Sequence, residues 1–344
     1  MQYTDETGKH REVLRRAETR TQAKRLIQDI LRELDTGGAA LIDGASIGFR
    51  DYAETYRERL HEAVYVGDRK VSGLRSSSSP NAWLSILIDH FGSQKLRSIT
   101  HGDIEQFKLK RLATPTHRGT QRSIASVNRE LELLRAVLHQ AHRDGYILKN
   151  PFQQGRALIS KADEVQRDRI LTAEEEERLL AACTGRRAYL RALIIVALDT
   201  AMRRGELLQL TWRNVNFDAK TITVIARTTK TLKPRLVGLT ARAVEALQTL
   251  PQTRDLVFGI TDSFKKAWAA ACEEAGIDGL RFHDLRHTAT TRIVQAGISP
   301  SIAMRLTGHT QPSTFARYVN PDNSIVTEAA NILEKWRESR DNNE

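Results

Sequence analysis

His283 and Arg286 place a titratable imidazole and a permanently charged guanidinium three residues apart. A spacing of three places the imidazole and the guanidinium on one face of a helix. Together they could hold two oxygens of one phosphate, because the guanidinium is a fixed fork of donors and the imidazole is titratable. A solvated helical face is the ordinary alternative. A zinc site through His283 and His287 is disfavoured, since no Glu lies between them as in metalloproteases and no third ligand is nearby.

Three further positions could contribute to such a site, and each has an ordinary explanation as well. Arg203 follows an apolar helix, and Glu206 could orient its guanidinium, although a salt bridge at a helix end explains the same pattern. Lys230 lies where a β-strand enters a turn, a place where most lysines are solvated. Tyr318 comes nine residues after His309, where a core tyrosine with a wet hydroxyl is common.

Hydrophobic periodicity predicts the elements that must position these side chains. Thr172 and Glu175 form a capping box that opens a run of helices reaching about residue 210. Residues 221–226 and 235–239 alternate around a turn, which predicts one antiparallel β-hairpin inside an otherwise helical domain. Helices are then expected again at about 241–249, 263–275, 284–296 and 300–307.

The first half of the chain is predicted to be a separate helical unit. Residues 3–9 could form a hairpin turn, and a helix over 18–34 is expected to end at Gly37 and Gly38. A polar stretch without periodicity at 154–170 indicates an interdomain linker. Between them, helices are expected from near Gly48, and over about 81–91, 101–112 and 122–145.

Composition narrows the class of protein. The chain has 344 residues, 40% of them hydrophobic, which is enough for two or three domains with real cores. The net charge is +11, of which residues 46–170 carry +7. This excess of basic residues indicates either a polyanionic partner or simply a well-solvated basic protein. Two cysteines exclude a disulfide framework and fit a reducing cytosol. With no secretory signal and no apolar run of membrane-spanning length, we expect a cytoplasmic protein that does not contact a membrane.

Four segments, taken in order, carry a resemblance to a known family. From about Leu171 to Asn320 the chain resembles the catalytic domain of the tyrosine recombinases, the phage integrase family of site-specific recombinases. TAMRRGELLQLTW (200–212) is similar to the first arginine box of the family, and TTKTLKPRLVGL (228–239) to its lysine hairpin. RFHDLRHTATT (281–291) resembles the His-x-x-Arg box, and LTGHTQPSTFARYVN (306–320) the box in which a tyrosine follows a histidine.

The resemblance implies a role for each matching residue. Tyr318 would be the nucleophile and His283 its candidate base, while Lys230, with Lys233 as its rival, would protonate the leaving 5′ oxygen. The residues expected around the scissile phosphate are Arg203, His283, Arg286 and His309. His309 would either hydrogen-bond the phosphate or order the segment that carries the tyrosine. Two positions depart from the usual pattern: Ala201 replaces a glycine beside Arg203, and Gly238 replaces a proline in the last strand of the hairpin.

The fold implied is mainly α-helical, with a small antiparallel β-hairpin or sheet in the catalytic domain. The whole would be a two-domain DNA clamp preceded by a short N-terminal arm-like segment. The expected divisions are an arm-binding-like segment at 1–45, a helical core-binding domain at 46–153, the linker at 154–170, a catalytic domain at 171–322 and a C-terminal helix at 323–344.

The activity implied is site-specific DNA recombination through a 3′-phosphotyrosyl intermediate, with no metal, no cofactor and no ATP. The expected partners are double-stranded attachment-site DNA, three further copies of the chain in a tetramer, and a DNA-bending accessory protein. A prokaryotic or phage-encoded, nucleoid-associated protein of a prophage or mobile element fits this activity. The alternatives are a type IB topoisomerase-like enzyme that relaxes DNA and a non-catalytic helical DNA-binding protein.

Overall fold

A computed structural model describes residues 1–5, 8–67, 69–165, 167–225, 234–319, 330–331 and 333–334. The chain divides into two compact units, Met1–Gln166 and Arg167–Glu344, and this boundary lies inside the segment predicted to be a linker. Within the described ranges, no helix has both the length and the apolar character needed to cross a membrane.

The N-terminal segment of the first unit is a short antiparallel hairpin followed by a long helix. Strands β1 (Gln2–Thr4) and β2 (His10–Glu12) pair, as the turn composition suggested. Helix α1 (Arg20–Gly44) extends past the predicted end. Gly38 interrupts it with φ 62°, a left-handed conformation that glycine tolerates, and the chain then resumes its helical course. Burial of Leu41 and Ile42 gives this last stretch a reason to remain helical.

The rest of the first unit is a small helical bundle. Its core contains the aromatic cluster Phe49, Phe91 and Phe107. The helices are α2 (Phe49–Arg57), α3 (Ser78–Phe91), α4 (His101–Ala113) and α5 (Ile124–Arg143). The apolar face of the last helix, α5, is buried in that core, as the periodicity predicts.

A β-hairpin in this unit was not predicted. Strands β3 (Val64–Val66) and β4 (Arg69–Ser72) pair in antiparallel fashion, with Gly67 in the turn at φ 58°. The valines of this hairpin stay largely exposed, so it forms through local turn geometry rather than through burial of an apolar face. The expectation of an all-helical middle unit was therefore wrong at this point.

The second unit packs helices around a strongly apolar central helix. Helix α6 (Ala173–Ala181) opens with the predicted capping box, in which Thr172 and Glu175 satisfy each other's backbone N–H groups. Helix α7 (Ala188–Thr200) is buried on nearly all sides, as expected for a helix in the centre of a core. The short helix α8 (Arg204–Leu208) follows it directly.

The predicted β-hairpin is part of a three-stranded sheet. Strands β5 (Val215–Asn216), β6 (Thr221–Val224) and β7 (Arg235–Gly238) are antiparallel in the order β5–β6–β7. The register pairs Val224 with Arg235, which places that arginine at the end of the sheet. Over residues 234–319 the structure adds the helices α9 (Ala241–Gln248), α10 (Lys265–Glu274), α11 (Asp284–Gln295), α12 (Pro300–Thr307) and α13 (Pro312–Phe315).

Candidate active site

Arg203 stands where the chain turns sharply between α7 and α8. Ala201 ends α7 in a left-handed conformation with φ 52°, which explains why a glycine is usual at this position. The guanidinium of Arg203 donates to Glu206 Oε1 at 3.0 Å, as the spacing of three suggested, and to the carbonyl of Gly308 at 2.6 Å. Arg203 is therefore held from two sides while its side chain keeps 22% exposure.

A second arginine, Arg235, contacts the same carboxylate of Glu206, and the sequence analysis did not identify it as a site residue. Its two terminal nitrogens donate to both oxygens of Glu206 at 3.0 and 2.6 Å, and its Nε donates to the carbonyl of Leu306 at 3.1 Å. Burial raises the pKa of Glu206, but hydrogen bonding and the charge of Arg235, together with Arg203, outweigh it and leave the pKa lowered. One buried carboxylate thus faces two guanidiniums, and the cluster stays positive.

Arg286 lies at the bottom of the site. It is 4% exposed, and its Nη1 donates to the carbonyl of Ala201, so α11 is tied to the end of α7. Burial and the charge of Arg203 lower its pKa to about 9, which still leaves it protonated at neutral pH. Its Nη2 lies 3.3 Å from His309 Nε2.

His283 and His309 border the same space. His283 is the N-cap residue of α11, although its side chain makes no capping hydrogen bond; desolvation of the imidazole and the charge of Arg286 lower its pKa. His309 follows Gly308, which ends α12 with φ 72°. Its Nδ1 lies 2.7 Å from the hydroxyl of Thr307, and burial, with Arg286 next, lowers its pKa to about 3. His309 is consequently neutral in the free protein.

Tyr318 closes the site from a single turn of 3₁₀ helix, Ala316–Tyr318. Its ring lies 5.7 Å from that of His309 and 5.5 Å from that of Phe315, measured between centroids. Its hydroxyl is 2.5 Å from His287 Nδ1. Burial raises the pKa of the phenol, so the hydroxyl is protonated at neutral pH and can donate to this nitrogen.

The segment that carries Tyr318 is fastened to the start of the second unit. Arg317 donates to the carbonyl of Arg167 at 2.5 Å and to Asp168 at 2.7 Å, and its guanidinium lies 5.4 Å from the centre of the Tyr318 ring. Arg167 in turn donates to the buried carboxylate of Asp284. The tyrosine and the first turn of α11 are therefore both held by residues 167–168.

Most of the predicted site residues are brought together by the fold. Lys230 and its rival Lys233 lie outside the described residues. His287 was considered only as a zinc ligand; its place directly after Arg286 was the available signal. In the described part of the chain, no group of three His, Cys, Asp or Glu side chains could hold a metal ion. The residues that converge from separate segments are Arg203, His283, Arg286, His309 and Tyr318.

This arrangement can bind an oxyanion and attack it. Two arginines and a histidine present donors to one small space, and a phenol hydroxyl stands at its edge beside two neutral imidazoles. Guanidinium groups suit the oxygens of a phosphate, and a phenol oxygen is a nucleophile once its proton is taken.

Comparisons with known proteins agree with this chemistry. Residues 169–324 match the model of the phage integrase family. The shufflon-specific DNA recombinase of Escherichia coli is 33% identical over 232 residues, which cover 66% of this chain and 59% of that protein, so the chain spans less than two thirds of that relative. The integrase of Salmonella phage P22 is 24% identical over 301 residues, 76% of each protein.

Two solved structures share the fold. The Tn1549 transposon integrase in complex with circular intermediate DNA has a TM-score of 0.64 at 18% identity, over 83% of this chain and 99% of that one. A lambda integrase dimer bound to a COC′ core site has a TM-score of 0.63 at 19% identity, over 92% and 91%. Residues 169–324 of this chain therefore carry a phage integrase family domain, the domain of the tyrosine recombinases.

Proposed function

We propose that this protein is a site-specific DNA recombinase that cleaves and rejoins DNA through a 3′-phosphotyrosyl intermediate. One observation carries the proposal: the hydroxyl-bearing ring of Tyr318 lies against His309, whose imidazole contacts the buried Arg286. A nucleophile, an oxyanion-binding guanidinium and an imidazole thus meet in one place, although they come from three separate elements.

The positive cluster suits a phosphodiester. The phosphodiester carries one negative charge, and more charge builds on its oxygens in the five-coordinate transition state. Arg203 and Arg286 would bind the non-bridging oxygens, with His283 and His309 as further donors. Donors that are already in place lower the barrier, because they need not reorganise as the charge develops. The arginines can do this work without a metal ion.

The reaction also needs two proton transfers. The phenol of Tyr318, with an ordinary pKa of about 10, must lose its proton to attack phosphorus. The motif resemblance gives that proton to His283 and makes Lys230 the acid that protonates the leaving 5′ oxygen. Because the phosphotyrosyl bond conserves the energy of the phosphodiester, religation to another strand needs no ATP.

The remaining parts of the proposal concern DNA and assembly. Residues 46–153 would form the core-binding half of a DNA clamp, with 1–45 as an arm-type segment, 154–170 as the linker, 171–322 as the catalytic domain and 323–344 as a C-terminal docking helix. We place its action on double-stranded attachment sites in the prokaryotic cytoplasm, at the nucleoid. Four copies would exchange strands between two duplexes, with a DNA-bending protein as an accessory.

The test is a covalent-adduct assay. Full-length protein is mixed, in buffer containing EDTA, with a pool of nicked duplexes of randomised sequence, and the DNA that stays attached in denaturant is sequenced to give a selected duplex. We expect wild type to form the adduct and Tyr318→Phe to bind DNA with similar affinity but form none. An adduct with Tyr318→Phe would reject the nucleophile, and its absence in wild type would favour a non-catalytic DNA-binding protein. Relaxation of supercoils without exchange between two duplexes would favour a topoisomerase.

A further inference from the structure

The hydroxyl of Tyr318 lies against His287 and not against His283, the histidine that the motif makes the candidate base. The distance from the hydroxyl oxygen to His287 Nδ1 is 2.5 Å, and the two rings are nearly parallel, at 29° with centroids 5.7 Å apart. Within the described ranges, His287 is the hydroxyl's one hydrogen-bond partner. The group that touches the attacking oxygen is therefore one that the four family-like boxes leave without a role.

The two histidines of α11 differ in their surroundings. His283 is exposed at the N-terminal end of the helix, where an incoming phosphate would meet it. His287 lies one turn further along, half-buried, with its ring 5.5 Å from that of His283 and almost perpendicular to it. These positions suggest that His283 contacts the phosphate and that His287 contacts the phenol of Tyr318.

Burial and the charges around His287 keep its imidazole unprotonated, so its Nδ1 is available to the hydroxyl of Tyr318. Charged or titratable neighbours of His287 come from other segments: Arg317 from the segment that carries Tyr318, and His309 from the turn after α12. Others come from the start of α11 and are His283, Asp284 and Arg286. Burial, followed by the charges of Arg317 and His283, lowers the pKa of His287 to about 4. The ring is therefore neutral at pH 7. A phosphate bound beside Arg286 would add negative charge near His287 and so raise the pKa of its imidazole. This favours proton transfer from Tyr318 during attack.

We propose that His287 is a further catalytic residue of this recombinase, with its Nδ1 accepting the proton of Tyr318 during attack. The inference rests on the proposed function. As the bond from the phenol oxygen to phosphorus forms and the bond from phosphorus to the 5′ oxygen breaks, the phenol proton passes to Nδ1 and the general acid protonates the 5′ oxygen. In religation the 5′ hydroxyl gives its proton back to the general acid as its oxygen bonds to phosphorus, the bond from phosphorus to the phenol oxygen breaks, and His287 returns its proton to the departing phenol oxygen.

The experiment compares His287→Gln with His283→Gln in the full-length protein. Glutamine can still accept a hydrogen bond from the phenol but does not take its proton at neutral pH. Single-turnover cleavage of the selected nicked duplex is measured as adduct formed per unit time, across a range of pH. We expect His287→Gln to bind the duplex like wild type, to cleave it about 10²- to 10⁴-fold more slowly and to lose the acidic limb of the pH profile.

A ring-fluorinated tyrosine at position 318 separates proton transfer from mere positioning. Its phenol is more acidic and depends less on a base, so it should restore much of the rate to His287→Gln and little to His283→Gln. His287→Asn serves as a second variant in case the glutamine disturbs packing. Cleavage by His287→Gln within a few-fold of wild type overturns the assignment, and so does rescue of His283→Gln alone or of neither variant. Failure of wild type itself to form an adduct would instead reject the proposed function.

Discussion

At the scale of single residues, Gly308 determines where the side chains of Arg203 and Arg235 can lie. It has φ 72°, its carbonyl accepts from Arg203, and a Cβ added to it would come within 3.1 Å of Arg235 Cζ and 3.2 Å of Arg203 Nη1. An alanine here must therefore adopt a left-handed backbone and also push aside two guanidiniums, that of Arg203, which the proposed mechanism needs, and that of Arg235, which binds Glu206.

Gly308→Ala should consequently lower stability by about 1–2 kcal/mol, the cost of the left-handed conformation, and slow single-turnover cleavage as well. The matched control is Gly276→Ala, whose φ is also positive, at 63°, but whose added Cβ would have no neighbour within 4 Å. Both variants should lose thermal stability, and only Gly308→Ala should lose cleavage rate. Equal rates in the two variants would contradict a positioning role for this turn.

The choice between Lys230 and Lys233 also belongs to the residue scale. Both precede β7 and lie outside the described residues, so the family-like position after Thr228 and Thr229 is the basis for preferring Lys230. Lys230→Ala should slow cleavage about 10²- to 10⁴-fold, as loss of a general acid does, whereas Lys233→Ala should mainly weaken DNA binding. A bridging 5′ sulfur leaves without protonation, and it should rescue Lys230→Ala alone. Rescue of Lys233→Ala would reverse the assignment.

At the scale of elements, α11 carries much of the site. Its first turns hold Arg286 and His287, the end of α7 accepts a hydrogen bond from Arg286, and residues 167–168 fasten both Asp284 and the tyrosine segment. Near these contacts, burial and several guanidiniums keep His287 and His309 neutral. Protonation of either imidazole in the folded state is therefore unfavourable.

This predicts a pH dependence of stability with a defined sign. Burial, with Arg317 next, lowers the pKa of His287 to about 4, and burial with Arg286 lowers that of His309 to about 3, against about 6.5 in an unfolded chain. Between these pKa values the unfolded state binds more protons than the folded state. The contribution of the two histidines to the free energy of unfolding is therefore fully present above about pH 6.5 and is lost as the pH falls. The slope should reach up to about 1.4 kcal/mol per pH unit for each histidine. Denaturant unfolding of the full chain at pH 7 and pH 5 measures it.

The control for this prediction is the double variant His287→Gln, His309→Gln. Without the two buried imidazoles, unfolding should depend less on pH over the same window. Wild-type stability that stays constant from pH 7 to pH 5 would show that the two rings are not kept neutral by the fold.

At the scale of the whole molecule, the distribution of charge should govern the proposed binding to DNA. Residues 46–170 carry +7 of the net +11, and among their exposed basic side chains are Lys110, Arg118 and Arg143. Each lysine or arginine placed on a phosphate releases counterions, so affinity for duplex DNA should fall steeply with salt. Changing these three residues to Gln should lower the slope of log affinity against log salt by about 0.9 for each phosphate that the variant no longer neutralises.

The matched control is Glu105→Gln, an exposed carboxylate on the same helix as Lys110. It changes the charge of the unit by one without removing a cation from a phosphate, so its slope should not fall. An unchanged slope in the triple variant would mean that the DNA-binding surface lies elsewhere on the protein.

The sequence by itself determined the features that depend on neighbouring residues. The capping box of Thr172 and Glu175, the buried face of α5 and the placement of His283 and Arg286 on one helix all follow from short spacings. The orientation of Arg203 by Glu206 belongs to the same class. Local spacing is reliable here because helix geometry fixes which side chains meet within a turn or two.

The tertiary structure alone decided the contacts between distant segments. It brought His287 to a tyrosine hydroxyl 31 residues away, and it joined Arg235 to Glu206 across 29 residues. It also continued α1 beyond Gly38, where burial of the following turn outweighs the break. Such outcomes depend on which surfaces are buried together, and a periodic pattern within one segment carries no information about its partner. That His287 is the group facing the hydroxyl of Tyr318 was for this reason visible only in the fold.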